Sequence, residues 1–284
     1  MPKLFDPPIA ATDEDYLALQ RPEYADRREF MEQQWLRFEP LADNDFRTQL
    51  GANFPQRFWE FYLACTFIDE GFDVRSASAG PDVRITQDGR TVWVEAIAPT
   101  RGHGPDAVPE IVNGVVTRVP NEQFILRLSA AIMEKFNKYK QYRTNGTVGP
   151  DDPYVIAINA DSIPFCQSET DVPRIASAVF PIGDPYVVIN RRTLQPVSQG
   201  VQYRDGIAKL NGTVIPTTSF LNEEFSGISG VIYSSTTIWN YPPQLGRIAY
   251  FVHNPLAMNP LPRGWLELGT EFWEEDQKLH KHDW

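Results

Sequence analysis

Asp82 and Glu95 flank the segment PDVRITQDGRTVWVEAIA, whose apolar alternation reads as two strands joined at Asp88-Gly89. If those two residues form the turn, Gln87 opposes Arg90, Ile85 opposes Val92, Val83 opposes Val94, and Asp82 opposes Glu95. Alternation then places Asp82 and Arg84 on one face with Trp93, Glu95 and Ile97. Directly opposed residues have Cβ atoms about 4.5–5.5 Å apart, where like charges destabilise the pair. Arg84 would neutralise such a pair in part. A divalent cation bound by hard oxygen ligands would do so more fully, and Mg²⁺ suits that donor set.

Two more charges fall on apolar surfaces. The stretch QRFWEFYLACTFIDE reads as a helix opened by Pro55 and stopped by Gly71. Phe58, Phe61, Tyr62, Cys65 and Ile68 form one stripe on it, and Trp59, Leu63 and Phe67 a second. Glu60 lies beside the second stripe, so a nearly all-apolar helix carries a carboxylate that needs a partner. The helix expected over 121–142 has a stripe of Phe124, Leu128, Ala131, Ile132 and Tyr139. Lys135 sits in the middle of that stripe, and Lys138 lies near its edge. A lysine centred on an apolar face calls for a charge partner or a chemical role.

These residues resemble the PD-(D/E)XK nuclease superfamily, the restriction-endonuclease-like fold. The match consists of a helix with Glu60, then Pro81-Asp82 at a strand start, then Glu95-Ala96-Ile97 on the next strand. It covers roughly residues 55–160, and more loosely the strands at 228–235 and 247–253. The resemblance implies that Asp82, Glu95 and Glu60 hold Mg²⁺ or Mn²⁺, and that the metal activates water and stabilises charge on a scissile phosphate. It also implies a lysine where this chain has Ile97. Members of the superfamily sometimes supply that lysine from a neighbouring helix, and Lys135 is the candidate here, with Lys138 second. The catalytic set so implied is Glu60, Asp82, Glu95 and Lys135. The expected activity is divalent-metal-dependent phosphodiester hydrolysis on DNA, or less readily on RNA. The alternative is a catalytically inactive module of the same fold that binds nucleic acid or a protein partner.

The elements that must position these residues make an α/β chain. The expected fold is a restriction-endonuclease-like core, with a central mixed sheet flanked by helices. A helical acidic extension over 1–50 precedes a domain over 51–284, in which 161–226 form an irregular β-rich insertion. FDVRSAS reads as a short strand before the hairpin, and PTRGHGPDAVPEIVNG as a long loop after it. YVIAINA, over 154–160, is an unbroken apolar run suited to a strand buried on both faces. GISGVIYSS and GRIAYFVHN read as two further core strands, with hairpins around YVVINRR and VQYRDGIAKLNG in the insertion.

The net charge is −11, which taken whole argues against nucleic acid. Most of the acidity is terminal, with net −5 over residues 1–50 and −4 over 267–284. Residues 123–143 carry net +4. Arg127, Lys138, Lys140 and Arg143 there are the candidate phosphate contacts for a nucleic-acid partner, expected to be DNA. A homodimer is compatible with this reading. Two cysteines, Cys65 and Cys166, allow neither a disulfide framework nor a zinc cluster. The chain lacks a secretory leader pattern and any apolar run long enough to span a membrane, so a cytoplasmic protein is expected. It has no G-x-x-x-x-G-K-[ST] phosphate loop, no G-x-G-x-x-G and no G-x-S-x-G elbow. His103, His253 and the pair His280/His282 read as loop or structural histidines.

Overall fold

The structure is a computed structural model and describes residues 3–6, 9–75, 80–87, 89–247 and 249–284. Six α-helices are present among these residues: α1 Glu14–Leu19, α2 Ala25–Phe38, α3 Phe46–Ala52, α4 Phe54–Asp69, α5 Asn121–Thr144 and α6 Arg174–Val179. The central sheet has eight strands: β1 Asp73–Arg75, β2 Val83–Gln87, β3 Arg90–Ile97, β4 Tyr154–Asn159, β9 Gly230–Ser234, β10 Tyr250–His253, β11 Thr270–Glu275 and β12 Lys278–Asp283. They lie side by side in that order. β3–β4, β4–β9 and β10–β11 pair in parallel, and the other neighbours are antiparallel. The chain is thus a mixed α/β fold with a large mixed sheet flanked by helices.

Strand alternation divides the core between the two faces of this sheet. Val83, Val94, Ala96, Val155, Ala157, Ile232 and Phe251 pack with α4 and the N-terminal helices. Trp93, Ile97, Tyr154, Ile156 and Val231 pack with α5. The helix α4 is buried nearly all round because its outer side is covered by the acidic N-terminal segment: Phe38 and Phe61 meet edge to face at 5.3 Å. The indole of Trp59 reaches across to the sheet and donates to the Ala157 carbonyl at 3.0 Å.

Two expectations change, and a third is only partly visible. The acidic stretch 267–284, which carries no clear strand pattern, forms β11 and β12 and completes the sheet edge. FDVRSAS supplies the three-residue β1, and its residues 76–78 lie outside the described ones. The insertion contains the unexpected α6, while its two expected hairpins are separate two-stranded ribbons, β5 Ile182–Ile189 with β6 Pro196–Tyr203, and β7 Gly206–Ala208 with β8 Val214–Pro216. Among the described residues, no helix is long and apolar enough to cross a membrane.

Candidate active site

The register of β2 on β3 follows strict alternation: Val83 opposes Val94, Arg84 opposes Trp93, Ile85 opposes Val92, and Gln87 opposes Arg90. Asp88, half of the expected turn, lies outside the described residues, and Gly89 has φ +75°. One step beyond the ladder, Asp82 comes level with Glu95. Its Oδ2 accepts the Ala96 amide at 2.7 Å. Gly80 sets the approach to this point. Its φ of +136° is one that L side chains avoid, and an added Cβ would stand 2.8 Å from Thr147 Cγ2. Its carbonyl accepts the Tyr142 hydroxyl at 3.2 Å, which ties the start of β2 to α5.

Glu95 is 0% exposed on the sheet face that packs against α5. Its Oε1 accepts Lys135 Nζ at 2.8 Å and Lys138 Nζ at 2.7 Å. Lys135 is 6% exposed, whereas the Lys138 side chain is 45% exposed. Both meet Glu95 because positions 135 and 138 are three apart on one helix, so they project from one face. Burial alone would lower the Lys138 ammonium, but its hydrogen bond to Glu95 and the Glu95 charge raise it well above the ordinary lysine range. The other oxygen, Glu95 Oε2, is buried and has no hydrogen-bond partner. The same holds for the hydroxyl of Tyr154, held above its usual pKa by burial and by the charge of Glu95. Ile97, on the same face as Glu95, packs into the apolar core.

Glu60 approaches from α4, on the other side of the sheet. Its Oε1 accepts Gln56 Nε2 at 2.9 Å, and its Oε2 accepts Arg57 at 2.7 Å. Gln56 also clamps the end of β3, donating to the Ala96 carbonyl at 3.3 Å and accepting the Ala98 amide at 2.8 Å. Burial would lower the Arg57 guanidinium, but Glu60, Asp43 paired with it at 3.1 Å, and Asp82 raise it. A cavity of about 280 Å³ opens beside Glu60, Arg57, Pro81 and Asp82. Asp82 takes the electrostatic load of the whole cluster. Burial, then Glu95, then Glu60 push its carboxyl up to about 7, against the opposing pull of Lys135 and the Ala96 amide.

The structure therefore brings Asp82, Glu95, Lys135 and Lys138 together at one strand end, with Glu60 behind them. The three expected metal-binding carboxylates do not converge on one point. Both Glu60 oxygens are held by its own helix, and among the described residues no group of three or more acidic, histidine or cysteine side chains converges closely enough to hold a metal. Arg84 does not bridge Asp82 and Glu95, since its guanidinium lies 5.6 Å from the Trp93 ring centroid. Gln56, Arg57, Tyr142 and Tyr154 escaped the sequence reading. The first two had a usable signal, being four and three residues before Glu60 on the same helix.

The remaining candidate residues sit apart. Arg127 donates to the Thr100 carbonyl at 2.7 Å and Arg143 to the Val148 carbonyl at 2.7 Å. Lys140 lies over the Phe136 ring and 3.7 Å from Glu224. His253 is paired with Glu271 at 2.6 Å, His280 stacks on Trp273, and His282 meets Trp284 edge to face. His103 is exposed on its loop. Cys65 and Cys166 are buried free thiols. No protein-family model, curated protein or solved structure matches this chain.

Proposed function

We propose that this chain is a divalent-metal-dependent nuclease of the restriction-endonuclease-like fold, in which Asp82 and Glu95 hold Mg²⁺ or Mn²⁺ and Lys135 takes the place of the lysine absent at Ile97. The observation that carries this reading is the buried Glu95 carboxylate. One of its oxygens is held by two lysines from α5, while the other is left without a partner beside a like-charged Asp82. A buried, unpartnered carboxylate oxygen facing a second carboxylate is disfavoured unless a cation compensates both. Mg²⁺ is commonly held by one or two carboxylates, with waters and substrate phosphate oxygens filling the other positions, so two protein ligands are enough.

When bound, such an ion activates a water and polarises a phosphoryl oxygen. The rest falls to the chain itself. Lys135, fixed by its ion pair, holds positive charge where an attacking water or a charged phosphoryl oxygen would lie. Glu60 keeps Arg57 in place at the cavity beside Asp82. Gln56 fixes the end of β3, so the Asp82 and Glu95 carboxylates keep their spacing. Lys138, partly exposed, with Lys140, Arg127 and Arg143 on the same helix, offers positive charge to a phosphate backbone, with DNA the favoured substrate and RNA second.

The second reading is a catalytically silent module of the same fold that binds nucleic acid or a protein partner. It draws on Ile97 and on the near balance of Arg57, Lys135 and Lys138 against Glu60, Asp82 and Glu95. Purified protein incubated with Mn²⁺ and single- and double-stranded DNA and RNA distinguishes them. The nuclease reading expects cleavage that is lost on chelation and in Asp82→Ala and Glu95→Ala. Cleavage surviving in both variants would overturn the site. Binding without cleavage, at every metal tried, would leave the second reading.

A further inference from the structure

A second, roomier cavity lies away from these carboxylates. It measures about 460 Å³ and is walled by α5, α6, the β7–β8 ribbon and the segment that follows it. That volume falls within the range of sites that enclose small molecules. Leu126, Ala130 and Met133 line it from α5. At about 100° per residue they stand on the side of the helix turned away from Lys135. The cavity thus shares a helix with the acidic site but lies mostly on its opposite side, with Ile132 at the border. Ile215 and Phe225 supply further apolar wall.

Three polar features break this apolar lining. Ser129 and Ser219 both border the cavity, and both hydroxyls are buried without a hydrogen-bond partner. A helical hydroxyl usually bonds back to the carbonyl four residues earlier. Thr66 and Thr144 do so here at 2.8 Å each, but Ser129 does not. The third feature is Lys209, at the turn of the β7–β8 ribbon. It is only partly exposed, and no carboxylate lies within ion-pair distance of it among the described residues. Glu224 also lines the cavity, but Lys140 already faces it at 3.7 Å. The lining is left with one uncompensated positive charge, two idle hydroxyls and a mostly apolar wall.

We infer that this cavity between α5, α6 and the β7–β8 ribbon is a binding site for an apolar ligand carrying a single negative charge, an alkyl or aryl monocarboxylate. The carboxylate pairs with Lys209 and the apolar body lies along Leu126, Met133 and Phe225. The serine hydroxyls are placed to donate to an oxygen of the ligand.

Calorimetric titration of the full chain with decanoate, decanol and decyltrimethylammonium tests this. Decanoate binds one to one, and the alcohol and the cation bind more weakly by about tenfold or more. Lys209→Glu reverses the order of decanoate and the cation. Ala130→Trp, on an exposed helix position, fills the cavity and abolishes binding while the circular dichroism spectrum stays unchanged. Should that variant misfold, methionine-methyl NMR of the unmodified protein locates the ligand: decanoate shifts Met133 and leaves Met31 and Met258 in place. Equal affinity for all three probes, an unaltered preference in Lys209→Glu, or shifts confined to methionines other than Met133 would each overturn the assignment.

Discussion

Replacing Asp82 by asparagine should stabilise the metal-free protein above neutral pH while disabling its site. The folded protein lifts the Asp82 carboxyl from 3.8 to about 7, chiefly through burial and the charges of Glu95 and Glu60. A raised folded-state value means that the native state binds the proton more tightly than the unfolded chain. Stability associated with this group is therefore present below pH 4 and is lost as pH rises to about 7. Three units at about 1.36 kcal/mol each set a ceiling near 4 kcal/mol, and because Asp82 is exposed to screening solvent the expected effect is roughly 1–2 kcal/mol. Asparagine keeps an acceptor for the Ala96 amide, now at 2.7 Å from Oδ2, and carries no charge. Thermal unfolding in chelator should give superimposed melting temperatures for wild type and Asp82→Asn near pH 4. A gap in favour of the variant should then open and level off above pH 7, reaching roughly 2–8 °C at about 2–4 °C per kcal/mol. A gap that stays constant across the pH range, or a less stable variant at pH 8, would refute the placement of Asp82 beside the like-charged Glu95 and Glu60.

Further outcomes follow from the same geometry. Saturating Mn²⁺ should reverse that order at pH 8, adding about 2.7 kcal/mol to the wild type at a hundredfold excess over Kd and nothing to Asp82→Asn, as read by thermal shift. Lys135→Met leaves a fully buried Glu95 with one partner and should cost about 3–5 kcal/mol in urea unfolding. Lys138→Met, at a side chain 45% exposed, should cost no more than about 1 kcal/mol. Gly80→Ala should destabilise by about 1–3 kcal/mol, because φ +136° strains the new residue and its Cβ crowds Thr147; chemical denaturation measures this. Burial pushes the Cys65 thiol up to about 12 and the Cys166 thiol up to about 11, so neither should react with a thiol reagent at pH 8 until the chain unfolds.

Much of the site's scaffold was legible because its signals are local. The pairing of Val83 with Val94 follows from the two-residue period of PDVRITQ and RTVWVEA, since a slip of one residue would turn every valine to the wrong face. Lys135 stood out because it interrupts an apolar stripe, and the structure finds it buried there. Glu60 was legible as a buried carboxylate, but not as one held by Gln56 and Arg57 of its own helix. The strands β11 and β12 were missed because TEFWEE and KLHKHD are too rich in charge to show alternation at a half-exposed sheet edge. Within the insertion, α6 is only six residues long, too short to show a helical period.

The amino-acid sequence alone determined the central strands and the long helices, and which charges fall on apolar faces, because both depend on residues a few positions apart. Only the tertiary structure decided which charges meet. Lys135 and Lys138 reach one oxygen of Glu95 across about forty residues of chain. Glu60 is kept to the far side of the sheet, and the Tyr154 hydroxyl on β4 is left buried without a partner. Those pairings depend on how α4 and α5 pack against opposite faces of one sheet, and no local pattern encodes that arrangement.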